Sequence, residues 1–344
     1  MRKKIAYTLA GIMVISSISG CGKIVPEVTE TAGTDQVVEE AVGAEDKLQV
    51  VTTIFPEYDW VKEVMGEQAD QAEITMLLDN GVDLHSYQPT AGDIKKIANC
   101  DLFIYVGGES DEWVENALAE AVNPDMEVIN LLEVLGNSVK EEEVVEGMEA
   151  EEEEEEAGAE GEEEEVEYDE HVWLSLRNTQ TLCSAIADSL GKVDAEHADL
   201  YAKNATEYNA KLDALDQEYK AVVEAAKNKT VLFGDRFPFR YLVDDYGLSY
   251  YAAFVGCSAE SEASFDTIVF LAKKVDELGL STILTIEGDN HGIAESIREN
   301  TETANQGIKV LDSMQATTGE DVANGTTYLG VMTDNLEVLK SALN

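Results

Sequence analysis

Positive charge is scarce in this chain: 23 lysines and arginines stand against 71 aspartates and glutamates in 344 residues, a formal net charge of −48. Such a surface repels phosphate backbones and anionic lipid, which excludes nucleic-acid or membrane binding through surface charge. It attracts cations, or simply keeps the chain soluble. Cysteine is sparse too, with four, and no Cys-x-x-Cys spacing suggests a zinc knuckle. Setting Cys21 apart leaves Cys100, Cys183 and Cys257, an odd number that cannot pair completely within one exported chain. Their neighbours Ala98, Leu102, Leu182 and Phe254 are mostly apolar, which favours buried free thiols over metal ligands. Gly-rich phosphate loops, a His-Glu-x-x-His helix and a usable Ser/His/Asp arrangement are all missing, which argues against an enzyme. Histidine is the last rarity: His85, His171, His197 and His291 are all there are.

Long hydrophobic runs are confined to the start. Arg2, Lys3 and Lys4 precede an apolar run over residues 5–18, closed by Ile18-Ser19-Gly20-Cys21. Basic, then apolar, then small residues is a secretory signal, and no later stretch is apolar enough to be a second span. The ending resembles a bacterial lipobox. That resemblance implies cleavage before Cys21, a diacylglycerol on its thiol, and tethering to the outer face of the cytoplasmic membrane. Residues 22–46, rich in Glu, Thr, Gly and Val, read as a flexible tether.

Beyond the tether the pattern alternates. Strands are expected over 48–55, 72–78, 101–106 and 127–131, with a helix begun by Pro56, one over 91–98 capped by Thr90, and one over 111–121 capped by Ser110. A helix over 178–191 precedes a stretch almost free of glycine and proline, 195–227, with Leu200, Ala205, Tyr208, Leu212, Leu215 and Tyr219 at three- and four-residue steps. At ~1.5 Å per residue it would run roughly 50 Å, long enough to connect two domains. Strands at 230–233, 249–254, 281–286 and 307–311 then alternate with helices at 237–246, 265–278, 293–299 and 335–343. The expected fold class is α/β: two (β/α) lobes with mostly parallel four-stranded sheets joined by one long helix. The domain reading is a signal over 1–21, tether 22–46, first lobe 47–193, connecting helix 194–227 and second lobe 228–344.

Inside the first lobe lies an acidic tract, 140–168. Nineteen acidic and no basic residues fall between positions 141 and 170, a composition that cannot pack a core and reads as a disordered loop. Glu162, Glu163, Glu164 and Glu165 are its candidates for accessory cation capture. The tract ends in Tyr168-Asp169-Glu170-His171-Val172-Trp173-Leu174, where apolar residues re-enter a folded body. His85 follows the second expected strand, His291 follows the strand over 281–286, and His171 stands at the end of the acidic tract. In open α/β sheets such loops gather at the ligand site. Three histidines in loops, drawn from both halves, point to one metal site between the lobes. His197 lies in the first turns of the polar long helix and faces solvent on this reading.

Three stretches carry a family resemblance: Gly81-Val82-Asp83-Leu84-His85-Ser86-Tyr87-Gln88-Pro89-Thr90, Glu170-His171-Val172-Trp173-Leu174-Ser175, and Phe239-Arg240-Tyr241-Leu242 with Tyr246-Gly247-Leu248. The chain over 48–343 resembles the metal-binding solute-binding lipoproteins of ABC importers, most closely their zinc branch. The resemblance implies a transition-metal ion in the interlobe cleft, and a charged mobile loop before the second histidine. His85 matches the family's first ligand and His171 its second. The third, a His or Glu three residues before the Phe of Phe-x-Tyr, is Arg236 here, whose guanidinium stays protonated and cannot ligate. Asp235 is adjacent and is the substitute considered. The fourth position, commonly Asp, falls on His291.

Three imidazoles favour Zn²⁺ over Mn²⁺ as the carried ion. The expected function is therefore an extracytoplasmic, lipid-anchored and monomeric zinc receptor, partnered by an ABC permease with its cytoplasmic ATPase. Alternatives are a manganese receptor of the same family and a lipid-anchored zinc hydrolase, since three histidines and a water make a competent catalytic site. A surface adhesin role on the same fold also stays open.

Overall fold

The computed structural model describes residues 47–149, 167–258, 262–288 and 290–344. Cys21, the signal, the tether and Glu162 to Glu165 lie outside them. In the first half, β1 (Gln49–Thr52), α1 (Phe55–Met65), β2 (Glu73–Met76), α2 (Ala91–Asn99), β3 (Leu102–Tyr105), α3 (Trp113–Ala119) and β4 (Glu127–Asn130) alternate as expected. The four strands pair in parallel in the order β2-β1-β3-β4. Pro56 sits in the first turn of α1, where its missing N–H costs nothing, and Thr90 closes a capping box with Asp93 at the start of α2. The short α4 (Leu131–Leu135) leads into the acidic tract, and α5 (Leu176–Val193) follows it.

The long helix is α6 (Ala198–Ala225), 28 residues and so about 42 Å. Its buried apolar face is Tyr201, Ala205, Tyr208, Leu212, Leu215, Tyr219 and Val223, the stripe read from the sequence with Tyr201 and Val223 added and Leu200 left out. It packs on both halves. Asn204 donates to the Val64 carbonyl of α1 at 3.0 Å, and the Tyr219 hydroxyl donates to the Met332 carbonyl near the C-terminus at 2.6 Å.

The second half runs β5 (Thr230–Leu232), β6 (Arg236–Phe237), α7 (Arg240–Tyr246), β7 (Ser249–Tyr251), β8 (Phe254–Val255), α8 (Phe265–Leu278), β9 (Thr282–Thr285), α9 (Gly292–Glu299), β10 (Gly307–Val310), α10 (Gly319–Ala323) and α11 (Tyr328–Ala342). Strands β5 and β7 pair in parallel, as do β9 and β10, and a parallel bridge from Phe233 to Leu284 joins the two pairs. The resulting order β7-β5-β9-β10 repeats that of the first half, which is the internal duplication the alternation suggested. The helix expected over 237–246 begins only at Arg240, because Pro238 pushes Phe237 out of the helical region and into the short strand β6. The last helix starts at Tyr328 rather than residue 335, capped by Thr327.

Two hydrogen-bonded clamps tie the halves together. The Tyr328 hydroxyl, fully buried, donates to the Trp173 carbonyl at 2.6 Å, and the Trp173 indole N–H donates to the Ser313 carbonyl at 2.8 Å. The described ends of the acidic tract, expected as a disordered loop over 140–168, pair with the body or with each other. Glu141 bridges Tyr168, Glu142 N–H donates to the Glu167 carbonyl at 3.0 Å, and Glu149 bridges Phe254 on the other half. These backbone pairings bring the tract back to the body at both ends, something composition alone does not encode.

Candidate metal centre

Two loops of the first half bring the first two histidines together. Asp83 caps a single 3₁₀ turn, Leu84–Ser86, by accepting the His85 N–H at 3.0 Å, and this aims the His85 ring inward. Asp169 accepts both the His171 N–H at 2.8 Å and its ring Nδ1–H at 3.0 Å. The Asp169 carbonyl is held in turn by the Tyr241 hydroxyl of α7 at 2.7 Å. His171 is fully buried.

The outcome is a close imidazole pair: His85 Nε2 lies 3.2 Å from His171 Nε2. His85 Nδ1 faces Ser110 Oγ at 2.7 Å and Glu170 Oε2 at 3.5 Å, so on both rings a proton on Nδ1 finds an oxygen beside it and leaves Nε2 free to ligate. Two lone pairs then point at each other, an arrangement that requires a proton or a metal cation between them. Burial depresses His171, but the charge of Asp169 and its hydrogen bond outweigh it and hold the group above the usual histidine value. Burial and the neighbouring His171 charge push His85 down to about 3.

Ser110 does not cap a helix as expected. It sits in the 3₁₀ turn Glu109–Asp111, with its hydroxyl on His85 and its N–H donating to Glu170 Oε1 at 2.9 Å. Glu170 comes this close because Gly108, at φ 84°, has no side chain; a Cβ there would lie 2.8 Å from Glu170 Cγ. The other Glu170 oxygen is buried without a hydrogen-bond partner. Burial raises the Glu170 carboxyl above its ordinary value.

The second half adds other groups than those expected. Among the described residues, the cluster able to hold a metal ion is His85, His171 and Cys257, with one ring nitrogen of each histidine and the Cys257 Sγ all within 4.8 Å of one another. Gln315 Oε1 lies 3.3 Å from His171 Nε2. His85 and Cys257 also line a cleft of about 290 Å³ with Glu142, Glu167 and Glu170, so the roots of the acidic tract stand at its mouth. His291 is not part of this cluster: it flanks the start of α9, its Nδ1 buried without a hydrogen-bond partner, near enough to Asp235 to act on that carboxyl. Asp235 spends its oxygens on the backbone N–H groups of Arg236 and Ile286. Arg236 forms an ion pair with Asp83 across the two halves and donates to the Ser258 carbonyl at 3.4 Å. His197 lies outside the site, with Nδ1 2.8 Å from Asp194 at the start of α6.

Cys257, Gln315 and Asp169, which stand at this cluster, were not among the site residues expected from the sequence. Apolar neighbours disguised Cys257, Gln315 has no motif, and Asp169 was submerged in a run of identical charges.

Two parallel α/β halves bridged by one long helix, with imidazoles from one and a thiol from the other at a shared cleft, define a two-lobed α/β protein with a candidate metal centre between its halves. Residues 50–342 match the ZnuA family model, described as zinc-uptake complex component A, periplasmic, and the chain belongs to that family. Zinc-binding protein AdcA of Streptococcus pyogenes is 30% identical over 303 residues, 86% of this chain and 56% of AdcA, so the chain spans about half of that relative. The high-affinity zinc uptake system protein ZnuA of Bacillus subtilis is 30% identical over 298 residues, 87% of this chain and 88% of that protein. Among solved structures, the Zn(II)-bound ZnuA-like domain of Streptococcus pneumoniae AdcA is similar with a TM-score of 0.66 and 28% identity, covering 86% of this chain and 99% of that one.

Proposed function

We propose that the chain is an extracytoplasmic receptor that binds Zn²⁺ with high affinity and hands it to an ABC permease driven by a cytoplasmic ATPase. On this reading it works as a monomer, anchored through lipid on Cys21. The observation that carries the proposal is the pair of half-buried His85 and fully buried His171, whose Nε2 atoms lie 3.2 Å apart while their Nδ1 atoms are already engaged. That separation matches the edge of a tetrahedral zinc site, ~3.3 Å for Zn–N bonds of ~2.0–2.1 Å. Family membership and the names of the relatives support zinc as the cargo. Imidazole donors suit Zn²⁺, whereas Mn²⁺ prefers a carboxylate set.

The rival zinc hydrolase needs an open coordination position with an activated water and a base placed for turnover. Calorimetric titration of the metal-free full chain is expected to give one tightly bound Zn²⁺ and much weaker Mn²⁺. The loaded protein is expected to turn over no ester, peptide or phosphate substrate. Tighter manganese than zinc, or turnover that tracks zinc content, would overturn the proposal.

A further inference from the structure

We infer that Cys257 is the third protein donor to the zinc ion, its thiolate completing a His85–His171–Cys257 set where the resemblance places a histidine or glutamate at Arg236. The inference rests on the zinc-receptor reading and names a donor for that same site. In a tetrahedral site with Zn–N of ~2.0–2.1 Å and Zn–S of ~2.3 Å, the nitrogen–sulfur edge is ~3.6 Å. The three donor atoms already lie within 4.8 Å of one another, so the sulfur needs to advance by at most ~1.2 Å.

The chain is built for that approach. Gly256 lets the loop lie flat on the buried imidazole: a Cβ there would come within 3.0 Å of His171 Cε1 and 2.9 Å of the Phe237 carbonyl oxygen. On its other side Cys257 is followed by Ser258, whose carbonyl is held by Arg236. The residue that cannot ligate thus fastens the loop that carries the thiol, and its guanidinium is ion-paired with Asp83.

A second observation points to a cation in the same cleft. Glu170 Oε2 is buried without a hydrogen-bond partner, 3.5 Å from His85 Nδ1, in the cleft that Cys257 lines. A buried carboxylate oxygen left this way is costly, and positive charge on the His85 ring, as metal ligation supplies, offsets that cost.

Binding is a proton exchange without redox change. The Sγ–H bond of Cys257 breaks, its proton leaves to solvent, and the sulfur lone pair forms the bond to Zn²⁺. A soft thiolate beside two imidazoles also sharpens selection of Zn²⁺ over Mn²⁺.

The test is cobalt substitution of the full chain. Wild type loaded with Co²⁺ is expected to show a near-ultraviolet thiolate-to-cobalt charge-transfer band. Cys257→Ser is expected to lose that band while keeping the visible d–d absorption from the histidine pair. Zinc affinity of Cys257→Ser should fall by more than the roughly 10- to 100-fold that loss of an outer-shell partner costs. Zinc should also protect one thiol of the wild type from a disulfide reagent, and none in the variant. Bound cobalt with d–d absorption but no charge-transfer band overturns the thiolate donor and leaves the receptor intact. Wild type that takes up neither metal overturns the receptor, and the donor with it.

Discussion

Asp169 is the residue whose loss best reveals how the site works. Its Oδ1 receives both the backbone N–H and the Nδ1–H of His171, at 2.8 and 3.0 Å, in a place where His171 is fully buried. Asp169→Ala strands both donors, at about 1–3 kcal/mol of stability for each group left unsatisfied. It also frees the ring to flip tautomer and removes the anion that makes Nε2 a strong donor. Loss of such an outer-shell partner costs roughly 10–100-fold in metal affinity. Asp169→Asn keeps an acceptor for either N–H, so most of the stability should return while zinc affinity recovers only in part. The same carboxylate raises the proton affinity of His171, so removing it weakens the proton that competes with zinc. The affinity deficit of Asp169→Ala should therefore be widest above neutral pH and shrink as pH falls through the histidine range. Competition against a chromophoric zinc chelator from pH 5 to 8, with thermal melts of the metal-free proteins, reads both quantities. Wild-type zinc affinity in Asp169→Ala, or a deficit that grows on acidification, would refute this reasoning.

The histidines separate cleanly in a second experiment. His85→Ala and His171→Ala should each abolish tight zinc binding in calorimetry, while His197→Ala stays at wild type. His291→Ala should stay within a few-fold of wild type, because His291 is not part of the His85–His171–Cys257 cluster; a loss equal to that of His85→Ala would restore the three-histidine set. Stability of the metal-free protein should fall as pH rises from about 4 to 7. Burial raises Asp59 to about 6, and burial with neighbouring carboxylates raises Asp111 and Asp312 to about 7, so the native state holds protons that the unfolded chain, with carboxyls near ~3.9, has already lost. Thermal melts at constant ionic strength check this, and a melting temperature that climbs from pH 5 to 8 contradicts it. Deleting residues 151–165 should slow zinc capture at low salt but not at high salt, where the Debye length is only a few ångströms; stopped-flow rates equal at both ionic strengths would leave the tract without a role in capture.

Local chemistry determined much of this protein by itself. Apolar periodicity, caps such as Thr90 and Ser264, and turns at Gly247 and Gly279 specify the alternating strands and helices. The long helix was legible because no glycine or proline interrupts its core-facing stripe. His85 and His171 were legible because each sits in a distinctive motif beside the residue that orients it. What the sequence could not carry is which groups of the two halves face each other. Cys257 reads as a buried apolar thiol until Gly256 is found lying on the ring of His171, some eighty residues earlier in the chain. His291 reads as a ligand by position, yet at the start of α9 it falls outside the cluster of His85, His171 and Cys257. Spacing along a chain fixes donors that share a loop; donors from different lobes are fixed only by how the sheets dock, and that is decided by buried contacts such as Trp173 to Ser313 and Tyr328 to Trp173.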